Sequence, residues 1–353
     1  MPDAAPAILS EFSRRVIAWQ KTNGRHDLPW QQTADAYRIW LSEIMLQQTQ
    51  VQTVIPYYGR FLARFPTLEV LAAAPLGAVL ELWSGLGYYA RARNLHRCAQ
   101  TLVVERAGKF SANPQENAGL PGIGRSTAAA IGVFAFAGRA AILDGNVKRV
   151  LARCFAIGGT ASPAQDLRAL WALAEALLPE RDVASYSQGM MDLGATVCTV
   201  RKPACDACPL RTICIACRDD RQAELPRRQI RAALPQRSSR VVLLTDGRRV
   251  LLERRPPIGI WGGLLSFPEL SGEAPDAFVL RHGCRLLGSQ QLPAIDHTFS
   301  HFRLRIEILR CDVEVLAHGV SEDVLEWLPV ADVAAAALPA PIKRLLLATP
   351  LAA

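Results

Sequence analysis

No stretch of this chain is apolar for long enough to cross a bilayer; the longest, Ala128 to Ala137, stops at Gly138-Arg139. A secretory start is missing too, because Met1 to Trp19 mixes Asp3, Glu11, Arg14 and Arg15 into an amphipathic pattern. There is no internal repeat and no long low-complexity tract, so nothing points to a solenoid or a disordered array. Acidic residues are in deficit: 32 Asp and Glu against 40 Lys and Arg leave a formal charge of +8, which suits a polyanionic partner without specifying one. The nine cysteines are an odd number, and without an export signal they argue against a disulfide framework. What remains is a chain of 353 residues, half hydrophobic and one fifth charged, long enough for two domains with proper cores. It is expected in the cytoplasm, where thiols stay reduced, with no membrane association.

Four of the cysteines fall close together. Cys198, Cys205, Cys208 and Cys214 have the spacing Cys-x6-Cys-x2-Cys-x5-Cys, too dense for scattered core thiols and suited to one compact metal centre. Zinc is a real alternative on ligand type, since four thiolates hold it well. Zinc knuckles, however, usually pair two Cys-x-x-Cys hooks, and here only Cys205 and Cys208 form one. A single loop wound around a cube-shaped [4Fe–4S] cluster fits the uneven spacing better, and Pro209 follows the third cysteine as a proline does in ferredoxin runs.

The texture of the chain changes once. Residues 7 to about 217 read as successive short helices, with Ala, Leu and Arg at three- and four-residue spacings. The spacing predicts helices over Ala36–Val51, Leu68–Leu82, Arg125–Ala137, Val147–Cys154 and Asp166–Leu178. Residues 218–237 are polar and rich in Arg, Gln and Pro, which reads as a linker. Beyond them come short β-branched runs, Arg240–Thr245, Arg249–Glu253 and Phe302–Arg310, then a helical tail at Pro341–Ala348. The expected architecture is a mostly α-helical region over 1–217, a linker over 218–237 and a smaller α+β domain over 238–353.

Between two of the helical segments stands Leu120-Pro121-Gly122-Ile123-Gly124-Arg125-Ser126-Thr127-Ala128. Pro-Gly-x-Gly makes a tight hairpin whose bare Gly122 and Gly124 let a phosphate approach the backbone. The helix that follows aims free N–H groups and its positive dipole end at that anion. Glycines end helices everywhere, so a plain inter-helix turn is the simple alternative. The length of the string favours a helix–hairpin–helix, a clamp on DNA backbone that does not read sequence.

A helix–hairpin–helix followed by this cysteine quartet resembles the endonuclease III superfamily of DNA repair glycosylases. The strings Leu28-Pro29-Trp30, Trp40 to Val51, Gly85 to Arg93 and Ile142 to Val150 resemble its MutY-type adenine DNA glycosylases in particular. The resemblance runs from about residue 10 to 345. It implies that Glu43 protonates the leaving adenine at N7 and later helps deliver water. It implies equally that Asp144, next to Gly145 and Asn146, stabilises or traps the sugar cation. Base removal of this kind needs one neutral carboxylic acid and one carboxylate. An apolar setting would keep Glu43 protonated, and a helix N-terminus at Asp144 would keep that group ionised.

The same resemblance assigns further sites, each beside an ordinary reading. Ser126 stands where glycosylases that also cut the strand carry a Schiff-base lysine, so base removal without efficient strand cleavage is implied. Leu46, Gln47 and Gln48, with Leu86 and Tyr88, match residues that fill the space left by the extruded adenine. Their plainer reading is a polar helix end and a core tyrosine. Trp30 and Gln188 match the adenine pocket, although Trp30 could simply be core. Arg91, Arg93 and Arg97 form a basic helical face, suited equally to solvent and to phosphate.

The C-terminal part resembles the Nudix-like module of these enzymes. Gly263 and Glu269 have the opening Nudix spacing, but Ala277-Phe278 replace the Arg-Glu pair, so metal-dependent pyrophosphate cleavage is not expected. Phe299, Ser300 and His301 match the loop that reads 8-oxoguanine opposite the adenine. Alternate placement of His297, Phe299 and His301 is also what one face of a strand would show. The combined expectation is a monomeric, monofunctional adenine DNA glycosylase of base excision repair. Its partner would be double-stranded DNA carrying adenine opposite 8-oxoguanine or guanine. An endonuclease III-type pyrimidine glycosylase/lyase and a catalytically silent DNA-binding module are the alternatives.

Overall fold

The computed structural model of the protein describes residues 6–158, 162–227, 233–316 and 324–351. Two compact units divide the chain: Met1–Ala72 with Arg97–Ile230, and Ala73–His96 with Arg231–Ala353. Among the described residues no helix is long and apolar enough to cross a membrane.

The first unit is helical, and its central element is the helix Ala36–Leu46. Asp35 starts it by accepting the free N–H groups of Tyr37 and Arg38. Tyr37, Ile39, Trp40, Leu41, Ser42, Ile44 and Met45 are all buried, so this helix is enclosed on most of its circumference. It was expected to reach Val51 but stops at Leu46. Gln47 leaves helical geometry and Gln48 takes a positive φ of 58°, after which a new helix, Val51–Arg64, begins. Likewise the expected Leu68–Leu82 helix is two, Leu68–Ala73 and Leu76–Trp83, because Pro75 disfavours helical geometry at the residue before it. The helices Arg125–Phe136, Gly145–Cys154 and Pro163–Ala176 lie close to their expected positions.

The second unit holds a six-stranded mixed sheet of β1 Gln236–Thr245, β2 Arg249–Arg254, β3 Leu265–Ser266, β4 Cys284–Thr298, β5 Arg303–Val315 and β6 Leu325–Pro329. The order is β3-β2-β1-β5-β4, with β6 on β2. β1 and β5 are parallel and central, while the other pairs are antiparallel. Alternation sorts β1 onto two cores. Val241 and Leu243 join Ile306, Ile308, Ile342 and Leu346 on one face, whereas Val242 and Leu244 join Phe278, Val279 and Cys311 on the other. Helices Ala340–Ala348 and Pro275–Arg281 supply the covering residues on the two faces. This is the α+β arrangement expected for the C-terminal part.

β4, the longest strand, gave no clear signal in the sequence. It is largely exposed, contains Gly288 and Pro293, and shifts register between Leu286 and Gly288 and between Leu292 and Ile295. A proline tolerated at such a bulge hides the strand from period-two reading. On β5 the pattern is clean, with Ile306 and Ile308 buried and Glu307 exposed. Ile308→Ala should therefore cost about 2–5 kcal/mol in urea unfolding, and Glu307→Ala less than about 0.5 kcal/mol. Equal costs would contradict the placement of the core.

Candidate active site

Asp144 is the N-cap of the helix Gly145–Cys154, in extended geometry with φ −80°. Its Oδ1 accepts the Val147 N–H at 2.7 Å and its Oδ2 accepts the Asn146 side-chain amide at 3.1 Å. Burial raises its pKa above the usual aspartate range, and these donors oppose the rise. Glu43, half-buried on the Ala36–Leu46 helix, is pushed up to about 7. Burial of its carboxyl is the larger cause and the charge of Asp144 the second, so the two acids sense each other. Ser126 lies beside them in connectivity: its hydroxyl accepts the N–H of Leu143, one residue before Asp144, at 3.1 Å.

The hairpin before Ser126 has the shape the string implied. Gly122 adopts φ +76°, a conformation that side chains resist, and both it and Gly124 are exposed. Gly124 caps the helix Arg125–Phe136 without a side-chain bond.

Other expected residues are distributed as follows. Trp30 is buried at 8% exposure and meets Tyr58 edge-on at 5.4 Å. Gln188 is half-buried on the helix Val183–Asp192 and donates its amide to Asp192 at 2.9 Å. Leu46 and Gln47 are half-buried at the end of the Glu43 helix and Gln48 is exposed. In the second unit, Tyr88 is 49% exposed rather than core, while Leu86 beside it is buried. Their loop is left-handed at Gly85, Gly87 and Tyr88. Arg91, itself buried, donates to the Leu86 and Gly87 carbonyls at 3.2 Å each and lies over the Trp83 ring. Arg91 is therefore not on a solvated face.

His297 belongs to β4, but Phe299 to Phe302 form the turn into β5, closed by the Phe299 N–H on the Phe302 carbonyl at 2.9 Å. The one-face strand reading of His297, Phe299 and His301 is thus replaced by a hairpin turn. Phe299 stacks on Phe302 at 4.5 Å and meets Trp261 at 5.9 Å, which leaves Ser300 and His301 exposed at the tip.

Cys198, Cys205, Cys208 and Cys214 line one pocket, with Cys154, Cys217 and Arg153. Among the described residues no three Cys, His, Asp or Glu side chains converge on one metal-ion position. Four thiols lining one pocket are the donor type that a thiolate-held metal centre takes. The sulfurs already have donors aimed at them: Arg153 reaches Cys198 Sγ at 3.3 Å and Gln222 reaches Cys205 Sγ at 3.8 Å. Arg149 connects this loop to the acid pair. It donates to the Cys198 carbonyl at 2.7 Å, the Gly194 carbonyl at 2.7 Å and Asn146 Oδ1 at 2.8 Å. Gly194 permits that closeness, since a Cβ there would meet Asn146 Cβ at 2.5 Å. Sequence reading missed Arg149, Arg153, Asp192 and the role of Arg91. Their only signal was charge at positions that must be buried to keep the helices packed.

A helical unit with this hairpin, an acid pair and a four-thiol loop defines a base-excision DNA glycosylase. The sequence matches the HhH-GPD superfamily of base excision DNA repair proteins over residues 41–176. It matches the iron–sulfur binding domain of endonuclease III over 198–214 and a NUDIX domain over 240–348. Adenine DNA glycosylase of Buchnera aphidicola subsp. Acyrthosiphon pisum is 35% identical over 337 residues, 95% of this chain and 96% of that one. The human adenine DNA glycosylase is 33% identical, covering 86% of this chain and 67% of its own. A thermostable thymine-DNA glycosylase structure aligns with TM-score 0.56 and 30% identity over 62% of this chain and all of that one. The chain belongs to the adenine DNA glycosylase family. It is a DNA N-glycosylase, a hydrolase, and its four-thiol loop binds an iron–sulfur cluster. Cys208→Ser is accordingly expected to lower iron content and to expose the 198–214 loop to protease; unchanged iron and protection would contradict the ligand set.

Proposed function

We propose that this enzyme hydrolyses the N-glycosidic bond of adenine mispaired with 8-oxoguanine or guanine in duplex DNA. The observation that carries the proposal is the acid pair: one carboxyl raised to about 7, next to a capped aspartate whose rise is held back by N–H donors. Glu43 delivers a proton to N7 of the extruded adenine, which makes the base a competent leaving group. The C1′–N9 bond breaks, its electron pair leaves with adenine, and positive charge develops on the deoxyribose. Asp144 stands against that charge as a carboxylate. Water then adds at C1′ and gives up its proton to Glu43, which restores the acid and leaves an abasic site.

Trp30 and Gln188 are assigned to the extruded base, and Leu46, Gln48, Leu86 and Tyr88 to the space it leaves. Tyr88 is supported by its exposure on a strained loop that Arg91 braces. Ser300, at an exposed hairpin tip with Phe299 packed beneath it, is assigned with His301 to the base opposite. Gly122 and Gly124 present the backbone N–H groups of a helix start to a phosphate. Asn146 holds Asp144 in place and orients it. The cluster is assigned the [4Fe–4S] form, supported by the four-thiol pocket and the cysteine spacing. It supplies no electron to a hydrolysis. Its thiol ligands shape a loop on which Arg201 and Lys202 are exposed, available to phosphates.

The assignment of Glu43 fixes the sign of the pH dependence. Its raised pKa means the protonated, active form is lost as pH rises through about 7. Single-turnover adenine release should therefore fall about tenfold per pH unit above that point. An acid limb should appear where Asp144 protonates, above the usual aspartate range. Glu43→Gln, which cannot give up a proton, should slow release by about 10²–10⁴-fold while still binding the duplex. Strand cleavage should appear only after alkali, because Ser126 cannot form an imine. A duplex-binding Glu43→Gln variant that releases adenine at the normal rate would refute the acid assignment.

A further inference from the structure

Asp192 has no part in the chemistry above, yet its side chain is fully buried and completely engaged. Arg25 supplies its backbone N–H to Oδ2 at 2.9 Å, and its Nε and Nη2 to Oδ1 at 2.8 and 2.6 Å. The fourth donor is the Gln188 amide nitrogen, 2.9 Å from Oδ1. A carboxylate accepts hydrogen bonds and does not donate them. The Gln188 amide therefore has a single orientation, set by its network, with nitrogen against Asp192 and Oε1 on the opposite side. Gln188 is half-buried, so the end it can present to a ligand is the carbonyl oxygen.

Adenine differs from guanine and hypoxanthine at this edge, because its 6-position carries an amino donor where they carry an oxygen acceptor. A fixed carbonyl oxygen favours the amino group and opposes the oxo group. We propose that Asp192 is a specificity-determining positioning residue, which locks Gln188 with Oε1 toward the extruded base so that the pocket takes a 6-amino purine and rejects a 6-oxo purine. The proposal rests on the reading of Gln188 as part of the adenine pocket. Arg25 holds the lock from the other side. Its segment is itself folded back on the helix Pro6–Asn23 through the Gly24 N–H and the His26 ring, both on the Gln20 carbonyl.

The test compares single-turnover release of adenine, of purine lacking the 6-amino group, and of hypoxanthine from otherwise identical duplexes. In Asp192→Asn the neighbour becomes both donor and acceptor, and both amide orientations of Gln188 open. Adenine release should fall about tenfold relative to purine release, as expected for one lost hydrogen bond, and hypoxanthine release should rise relative to adenine. Adding Gln188→Glu to this variant restores a pure acceptor at 188 and should recover the adenine-to-purine ratio. Gln188→Leu, at a half-buried position, removes the amide that Asp192 orients and carries the test if Asp192→Asn does not fold: adenine release should fall and purine release should hold. An unchanged ratio, or an equal fall for all three bases, would overturn the lock. A wild-type enzyme that released no adenine at all would instead overturn the functional reading beneath it.

Discussion

The capping of one helix by Asp144 is the constraint on which the site depends. A helix leaves its first N–H groups without partners, and here a carboxylate from the preceding residue takes the Val147 N–H at 2.7 Å. The same bond places the carboxylate and favours its charged form, against a burial that works the other way. Its negative charge in turn adds to the rise of Glu43. Both acids are shifted upward, but N–H donors oppose the rise at Asp144 while the charge of Asp144 adds to the rise at Glu43, which makes Glu43 the one suited to carry the proton.

The Gly145–Cys154 helix carries this arrangement to the thiol loop. Asn146 bonds Asp144, Arg149 bonds Asn146 and the Cys198 carbonyl, and Arg153 bonds Cys198 Sγ together with the carbonyls of Thr199, Gln222 and Leu225. The two later turns of the helix thus each spend an arginine on the loop that holds the cysteine quartet. A buried cation in such a place is stable only while its carbonyl partners stay in position. The order of the thiol loop and the posture of the acid pair are therefore linked through ordinary hydrogen bonds.

Much of this was legible in the sequence because it lay in strings with a single physical use. The Leu-Pro-Gly-x-Gly hairpin, the cysteine spacing and the Asp-Gly-Asn helix start each describe a local geometry that the chain then adopts. What was not legible was long-range or irregular. The end of the Glu43 helix at Leu46 follows from Gln48 entering left-handed geometry, which no breaker residue announces. β4 was hidden by a proline at a bulge and by its exposed face. Asp192 reads as one acid among many until its four donors, from Arg25 and Gln188, are brought to it by packing of distant segments. The segment Ala73–His96, set within the helical stretch of the sequence, groups with the C-terminal sheet in the fold. Its Ser84 and Tyr89 hydroxyls both donate to the Leu338 carbonyl, pairings that no local pattern encodes.

The proposed chemistry needs Glu43 to keep its proton up to about pH 7 while Asp144 carries charge. Infrared titration of the carboxyl C=O stretch, as the difference between the wild type and Glu43→Gln, measures that state without reference to catalysis. A band assigned to Glu43 should disappear with a midpoint at about pH 7. A midpoint near the ordinary glutamate value of about 4.3 would contradict it.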